Sequence, residues 1–430
     1  MTTPVEAGAP EAAAEAGPPV DHGAPSSTYP AFPPDFGQLV QAGPGMSAPV
    51  IVAITWDSDA SQASFDTFAD TVGGTAYWKA ASSEYGVGPA TSGTVNHVHM
   101  STAAPAKVQD SDLQAMVTAG VTATTNPWPK PTTNTIYAFF LPPSTSVQTQ
   151  DPSNPQGGLV DACTAGIGGY HDQIANASLT AAYAVVPSCT FGGQNSAAQQ
   201  TTMSMSHELL EAATDPAPGQ GLTGFDNEHF AFDYFQVFQS ENGDACEFFK
   251  ESFFEDKETT PAAFDYWVQS TWSNKSGKAG HNPCAPVPAN EAYFNVTPLA
   301  PEGVNVYLPP QLTGSSSATT QATHGFKVAN GETKSFMVGF YSDAATSGPW
   351  TISVVAATNP ILQSQDPLST QYNPAKITAS LDKTSGQNGE KAQVTVNVSS
   401  TGTLLKGELV TIVSSLNGVK HYMPLWISSQ

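Results

Sequence analysis

The pattern of apolar and polar residues changes twice along the chain. Residues 1–48 are rich in Ala, Pro, Gly and Glu and have almost no apolar period, which predicts a disordered acidic leader. From residue 49 onward, largely apolar runs such as 49–56 and 134–141 are typical of buried strands, and amphipathic stretches between them are typical of helices. After residue 286 only short alternating runs separated by turn residues remain, a pattern that predicts strands.

These changes predict a multidomain protein. Strands mixed with helices indicate an α/β or α+β domain over residues 49–285. An all-β region of immunoglobulin-like sandwiches is expected to follow. Residues 286–365 would form one sandwich, and residues 370–430 would form either a second sandwich or the other half of the first. A chain of 430 residues is also too long for one compact core.

The longest helical pattern contains most of the chemically capable groups. Ser196 is the expected N-cap, and the helix should run to about Thr214, because Pro216 disfavours helical geometry just before it. At about 100° per residue, one face of this helix is apolar. The other face carries one imidazole and three carboxylates: His207, Glu208, Glu211 and Asp215. Burying such a face is costly unless a metal or an opposite charge compensates it.

The spacing of these residues predicts a metal site. His207-Glu208-Leu-Leu-Glu211 keeps the pattern of the HExxH zinc peptidases, with glutamate in place of the second histidine. Because a carboxylate is an acceptable zinc ligand, His207 and Glu211 are predicted ligands and Glu208 the general base. Zinc is the expected metal, although another divalent cation would suit these groups. Asp215 lies about 12 Å from His207 along the axis, so a supporting role in orienting the next loop is expected.

The sequence of residues 207–215 resembles the corresponding helix of the thermolysin-like metallopeptidases. That resemblance implies a third ligand from a later glutamate, followed by an aspartate that orients the ligating histidine. The matching residues are Glu241, as the ligand, and Asp244, as the partner of His207. Two residues closer in sequence are alternative third ligands: Asp226 and then His229.

A broader resemblance covers residues 50–285. Gly-Gly-Tyr-His at 168–171, Tyr-Ala-Val-Val-Pro-x-Cys at 183–189, the His-Glu helix and Glu-x-x-Asp-x-Cys at 241–246 occur in this order. In that order they resemble the Exordium/phosphate-induced family of secreted proteins. The resemblance implies an extracellular protein with a metal site. His171 itself lies in a glycine-rich turn and is expected to be a surface residue.

Charge and hydropathy exclude two classes of partner. The chain has 37 acidic residues against 14 lysines and a net charge of −23, which argues against nucleic acids and anionic membranes. It contains no run of about twenty apolar residues, so no membrane span is predicted. The first residues lack both a positive and an apolar segment, so we expect any export signal to lie outside this chain. The expected location is extracellular, either secreted or surface-tethered.

The cysteines support an oxidising location. No two of the four cysteines are close in sequence, which excludes a CxxC site, and their even number predicts two disulfides. Four cysteines allow three connectivities. Pairing by neighbourhood predicts the bonds Cys163–Cys189 and Cys246–Cys284.

Two functions are compatible with these features. The first is a zinc-dependent metallopeptidase-like hydrolase that acts on a peptide or protein substrate, with Glu208 as the base. One histidine and two glutamates would neutralise the zinc charge and make its water less acidic, so a slow or structural site is an alternative. The second function is a non-catalytic extracellular metal-binding protein, whose β domains adhere to a partner or bind extracellular polysaccharide.

Overall fold

A computed structural model describes residues 25–150, 158–176, 179–191, 195–235, 241–247, 249–258, 264–287, 291–308, 310, 316–356, 375–403 and 405–429. These residues form mostly strands, in several sheets, together with some helices. The helices are α1 (Gln62–Thr71), α2 (Ala76–Ser82), α3 (Asp110–Thr122), α4 (Ala197–Thr214), α5 (Phe230–Phe235), α6 (Asp244–Glu247) and α7 (Asn274–Lys278).

The strands belong to two regions. Up to residue 285 they are β1 (Leu39–Gln41), β2 (Val50–Trp56), β3 (His97–Met100), β4 (Lys107–Val108), β5 (Thr135–Phe140), β6 (Ser146–Gln150), β7 (Leu159–Asp161), β8 (Tyr170–Ala175), β9 (Thr180–Val186), β10 (Leu222–Phe225), β11 (Phe253–Glu255), β12 (Trp267–Gln269), β13 (Thr271–Trp272) and β14 (Cys284–Ala285). Thereafter they are β15 (Phe294–Pro298), β16 (Glu302–Leu308), β17 (Thr319–Lys327), β18 (Thr333–Ser342), β19 (Trp350–Ala356), β20 (Lys376–Leu381), β21 (Ser385–Gly386), β22 (Lys391–Ser400), β23 (Gly407–Leu416) and β24 (Val419–Ser428).

A five-stranded sheet organises the first region. Its order is β3-β2-β5-β9-β8; the first four strands are parallel, and β8 is antiparallel to β9. Alternate residues of β5 point to opposite faces, where they enter two separate hydrophobic clusters. Helices α1, α2 and α4 contribute to one cluster and α3 to the other. Helices on both faces explain why the central strands are apolar throughout.

Helix α4 begins and ends where the sequence predicts. The Ser196 side chain accepts a hydrogen bond from the backbone N–H of Gln199, and the Gln199 side chain bonds the Ser196 backbone in return. The helix ends at Thr214, two residues before Pro216. Its apolar face is buried against β5 and β9, so the opposite face is held at a fixed position beside β8.

The disordered leader predicted over residues 1–48 is wrong for residues 25–48; residues 1–24 lie outside the described part. Phe36 is only 6% exposed, and β1 pairs with β10. The Phe36 ring packs edge-on against rings from both later regions: Phe232, Trp272 and Tyr341. The segment has no regular alternation of apolar and polar residues, because single large side chains such as Phe36 attach it to the core. A search for hydrophobic periodicity does not detect such isolated contacts.

The C-terminal region forms one sandwich rather than two. A four-stranded sheet, β15-β18-β22-β20, shares a core with a six-stranded sheet, β16-β17-β24-β23-β19-β21. Strands from both sides of the predicted junction pair directly, since β18 pairs with β22 and β19 with β23. Residues 370–430, of which 375–403 and 405–429 are described, therefore supply the other half of a single sandwich, the second of the two predicted alternatives.

The predicted disulfide pairing is confirmed. Cys163 bonds Cys189, and Cys246 bonds Cys284. The second bond joins α6 to β14, next to a hydrophobic cluster that continues from Phe36 into the sandwich. Over the described residues, no helix has both the length and the apolar character needed to cross a membrane.

Replacing Phe36 tests whether the N-terminal segment belongs to the core. Phe36→Ala should lower the free energy of unfolding by about 3–5 kcal/mol, because it removes a buried ring and leaves a cavity. Urea unfolding followed by tryptophan fluorescence measures the loss. Val40→Ala, at a side chain 42% exposed in the same segment, is the control and should have little effect. Equal losses in the two variants would contradict the packing of Phe36.

His421 should make the sandwich sensitive to acid. It is buried beside the rings of Tyr293 and Phe294, with Nδ1 3.3 Å from Glu251 Oε1. Burial lowers the pKa of His421 from 6.5 to about 3 and raises the pKa of Glu251, because the interior disfavours both charged forms. Below pH 6.5 the unfolded chain gains a proton that the folded protein excludes. Stability should therefore fall by up to about 1.4 kcal/mol per pH unit between pH 6.5 and 3. His421→Gln should flatten this dependence in urea unfolding at pH 7 and pH 5; an unchanged slope would contradict it.

Candidate metal centre

Three segments bring titratable side chains together beside β8, the last strand of the five-stranded sheet as described. Helix α4 supplies His207, Glu208 and Glu211, strand β8 supplies His171, and the segment before α6 supplies Glu241. A cavity of about 430 Å³ opens onto these groups. The sequence pattern predicts four of the five; His171 is the residue that it assigns to the surface.

Hydrogen bonds fix the orientation of the His207 ring. The Gln269 amide N–H donates to the carbonyl of Gly243 at 2.8 Å, so its Oε1 accepts from His207 Nδ1 at 3.0 Å. The other ring nitrogen, Nε2, faces Glu211 Oε2 at 2.9 Å and Asp244 Oδ1 at 3.5 Å. A nitrogen lone pair aimed at carboxylate oxygens is unfavourable without a cation between them or a proton on the nitrogen. The geometry therefore presents Nε2 as the metal-binding atom.

Asp244 lies beside His207, the residue that it is predicted to orient, while Gln269 contacts the Nδ1 side of the ring. Asp244 shares the Nε2 side with Glu211, because α6 begins at this residue and turns its carboxylate toward α4. Asp244 is therefore a further candidate ligand. Gln269 lies in β12, far from the motif in sequence, and no local pattern indicates its role.

Glu211 is oriented by backbone groups. Its Oε1 accepts hydrogen bonds from the N–H groups of Gly243 and Asp244, at 3.0 and 3.1 Å. This leaves Oε2 facing His207 and, at 3.6 Å, His171 Nδ1. The segment that supplies Glu241 thus also positions the Glu211 carboxylate of α4. The site therefore needs both the helix and the segment at residues 241–244.

His171 is buried in the site rather than on the surface. Its side chain is only 4% exposed, and Nε2 lies 3.4 Å from Glu241 Oε2. That carboxylate oxygen is itself buried and accepts no hydrogen bond from the residues that the structure describes. The signal in the sequence is Gly168-Gly169, since a Cβ at residue 169 would lie 2.5 Å from Glu208 Oε1. The glycines let the chain pass close to α4 and turn His171 inward.

The structure does not bring the two alternative ligands to this site. His229 Nδ1 is 2.7 Å from Asp226 Oδ1, and the pair belongs to a different cluster with Asp35 and His324. Asp226 and His229 were favoured by closeness in sequence to α4. They are carried away by β10, which pairs with the N-terminal strand β1.

Asp215 orients the loop after α4. Its carboxylate accepts hydrogen bonds from the backbone N–H groups of Gly219 and Gly221, at 2.6 and 2.7 Å. Its backbone carbonyl lies 3.2 Å from His171 Nε2. The residue therefore supports the site through the backbone and not through its carboxylate.

The concentration of buried charge shifts the protonation of every group. Burial alone would lower the pKa of His171 and of His207, but the neighbouring carboxylates raise both well above the ordinary value. Burial raises the pKa of Glu208, and burial together with the Glu211 charge raises that of Glu241 to about 9. Among these five groups only Glu211 has a lowered pKa, because the imidazolium charges outweigh its burial. A cation entering the site must displace these protons, so its affinity should fall as the pH falls.

The atoms available to a metal form two overlapping groups. In each, the ligand atoms lie within 4.8 Å of one another: His171, Glu211 and Glu241 in one, and His207, Glu208 and Glu211 in the other. Two imidazoles with carboxylates are a donor set that suits zinc and other divalent transition metals. His171 adds a neutral ligand to the three predicted ones, so the two glutamates Glu211 and Glu241 still balance the charge of a bound divalent ion.

Comparisons with known proteins leave the family open. No family model matches the chain, and no curated protein matches it. Among solved structures, domains 4 and 5 of the surface-layer protein SbsC are 14% identical, with a TM-score of 0.15, over 40% of this chain and 88% of that chain. Domains 4–9 of SbsC give 14% identity and a TM-score of 0.16, over 41% and 27%. Similarity at this TM-score carries no argument about fold or function.

Adding one methyl group at Gly243 should damage the site. A Cβ there would lie 2.7 Å from Glu211 Oε1 and 2.8 Å from His207 Nδ1, which is too close for either group to keep its place. Gly243→Ala should therefore weaken zinc binding at least tenfold in a competition titration with a chromophoric chelator. Gly303→Ala, where a Cβ meets nothing within 4 Å, is the control. Unchanged affinity in Gly243→Ala would contradict the described arrangement.

Proposed function

We propose that this protein is a secreted zinc-dependent hydrolase of the metallopeptidase type. The observation that carries the proposal is the convergence of His171, His207, Glu211 and Glu241 around a cavity that also exposes Glu208. In this proposal the region up to residue 285 is a metallopeptidase-like domain, and the sandwich that follows is immunoglobulin-like.

The residues fit a divalent cation on three grounds. The Nε2 atom of His207 is directed at carboxylates by Gln269, and Glu241 Oε2 is buried without a hydrogen-bond donor. Gly243 leaves the space beside His207 and Glu211 free of a side chain. A bound zinc would polarise a substrate carbonyl and acidify water. His171, His207, Glu211 and Glu241 would hold it, with Asp244 available as a further ligand.

Glu208 is placed to move the proton. Its carboxylate lies 3.7 Å from His171 Nδ1 and lines the cavity, and burial raises its pKa above that of an ordinary glutamate. A base with such a pKa accepts a proton from the attacking water and then donates it to the leaving amine nitrogen. The C–O bond forms and the C–N bond breaks, and Glu208 returns to its starting state.

The surroundings of the cavity favour a peptide substrate. Strand β8 is the last strand of the five-stranded sheet as described, and His171 lies in it, so an extended chain pairing with β8 would pass the site. Three apolar side chains also line the cavity and would contact substrate side chains: Phe191, Met203 and Phe253. The two disulfides support an extracellular location.

Three substitutions separate metal binding from catalysis. Glu208→Gln should keep the bound zinc, because the ligands are intact, and reduce casein or peptide cleavage by at least a hundredfold. His207→Ala and His171→Ala should lose both zinc and cleavage. Metal content by mass spectrometry and cleavage of a fluorogenic peptide library measure the two properties.

A conservative substitution away from the site is the control for effects of mutation on folding. Thr67→Ser, at a half-buried residue of α1, should leave metal content and cleavage unchanged. Wild-type protein that binds zinc but cleaves no peptide would contradict the enzymatic proposal and favour a non-catalytic metal-binding protein. Cleavage that survives in Glu208→Gln would reject Glu208 as the base.

A further inference from the structure

A second cluster of histidines and carboxylates lies where three parts of the chain meet. Asp35 comes from the N-terminal segment, His229 from the turn before α5, and His324 from β17 of the sandwich. Asp35 Oδ1 lies 3.3 Å from His229 Nε2 and 2.8 Å from His324 Nδ1. One ligand atom from each residue lies within 4.8 Å of the other two. We call these three residues the junction cluster.

Backbone contacts hold the two histidines side by side, with their rings in an edge-to-face arrangement. His229 forms a bridge with Thr323, and the backbone N–H of His324 donates to the carbonyl of Glu228 at 2.5 Å. The two imidazole rings are consequently 4.6 Å apart. Their positions depend on β17 lying against the turn before α5 and not on flexible side chains.

The Nε2 atom of His229 faces the carboxylate of Asp35. Asp226 Oδ1 accepts from His229 Nδ1 at 2.7 Å, and Asp226 is itself held by the backbone N–H groups of Gln38 and Glu228. A histidine oriented by a carboxylate on one nitrogen commonly binds a metal through the other. Here that other atom, Nε2, faces a carboxylate oxygen, so a proton or a metal must lie between them.

The junction cluster has the composition of a zinc site. It offers two imidazole nitrogens and one carboxylate oxygen, which zinc binds at about 2.0–2.2 Å. The 3.3 Å between Asp35 Oδ1 and His229 Nε2 matches the spacing of two ligands on one tetrahedral ion. The 2.8 Å between Asp35 Oδ1 and His324 Nδ1 is a hydrogen-bond distance and must lengthen by about 0.5 Å when an ion binds. His229 is nine-tenths buried, so an ion bound here would be largely shielded from competing water. Without a metal, hydrogen bonds to the histidines outweigh burial and lower the pKa of Asp35 to about 2.

We propose that Asp35, His229 and His324 form a second zinc site, which fastens the N-terminal segment and the sandwich to the domain that carries the candidate metal centre. Three protein ligands leave one coordination position for water. Each ligand belongs to a different part of the chain, so the metal binds the assembled protein more tightly than any separated part. Zinc should therefore stabilise the contact between the regions.

The test uses the full-length chain with the first centre disabled by His207→Ala. After removal of metal with a chelator, zinc is titrated, and bound zinc and the midpoint of thermal unfolding are measured. The His207→Ala protein should keep about one zinc ion that it loses when Asp35→Asn or His324→Gln is added. Its zinc-induced rise in unfolding temperature should disappear with either addition. Glutamine at 324 keeps an N–H donor for Asp35, which preserves the fold without the metal.

His281→Gln is the matched control, since His281 also pairs with one carboxylate, Asp343, at 2.9 Å. It should change neither the bound zinc nor the zinc-induced stabilisation. The cluster of Asp66, His97 and His99 contributes equally to all these proteins and cancels in the differences. Equal zinc content with and without His324→Gln would overturn the proposal. The proposal would also be overturned if Asp35→Asn lost the same stability in the presence of zinc and in the presence of chelator. That result is expected if Asp35 and the histidines form an ion pair with a protonated imidazole and no metal.

Discussion

The compensation of buried carboxylates is the constraint on which the region around α4 depends. Helix α4 cannot bury its apolar face against β5 and β9 without also bringing Glu208 and Glu211 into the protein interior. Two imidazoles offset these charges, and each comes from a position where it can reach both the helix and the segment at Glu241. With no arginine in the chain, histidine protons and metal ions are the available sources of positive charge at this depth.

Features that depend on neighbours in sequence could be predicted. The start and end of α4 follow from Ser196 and Pro216, and the two disulfides join cysteines that are neighbours along the chain. The sandwich strands follow from alternation, but which strands pair depends on contacts across the junction near residue 365. Periodicity contains no information about those contacts.

The errors have a common physical cause. Phe36 lies among prolines and glycines, and His171 follows two glycines, so both appear to belong to exposed turns. Each is buried because a distant part of the chain covers it: the aromatic cluster of the two later regions covers Phe36, and α4 covers His171. The contacts of Gln269 and Asp244 with His207 likewise depend on elements far from α4 in sequence: Gln269 lies in β12 and Asp244 begins α6. A glycine pair before a histidine is the local signal that the chain approaches another element closely.

The packing of residues 25–48 limits how such a protein could be matured by a protease. Cleavage at residue 48 would detach Phe36 and β1 from the aromatic cluster and expose the apolar surface shared by both later regions. A maturation cut that leaves the product folded must therefore fall before Asp35, upstream of the residues that hold the regions together. The N-terminal segment is part of the folded core and holds the two later regions together. A propeptide would therefore have to precede it in sequence.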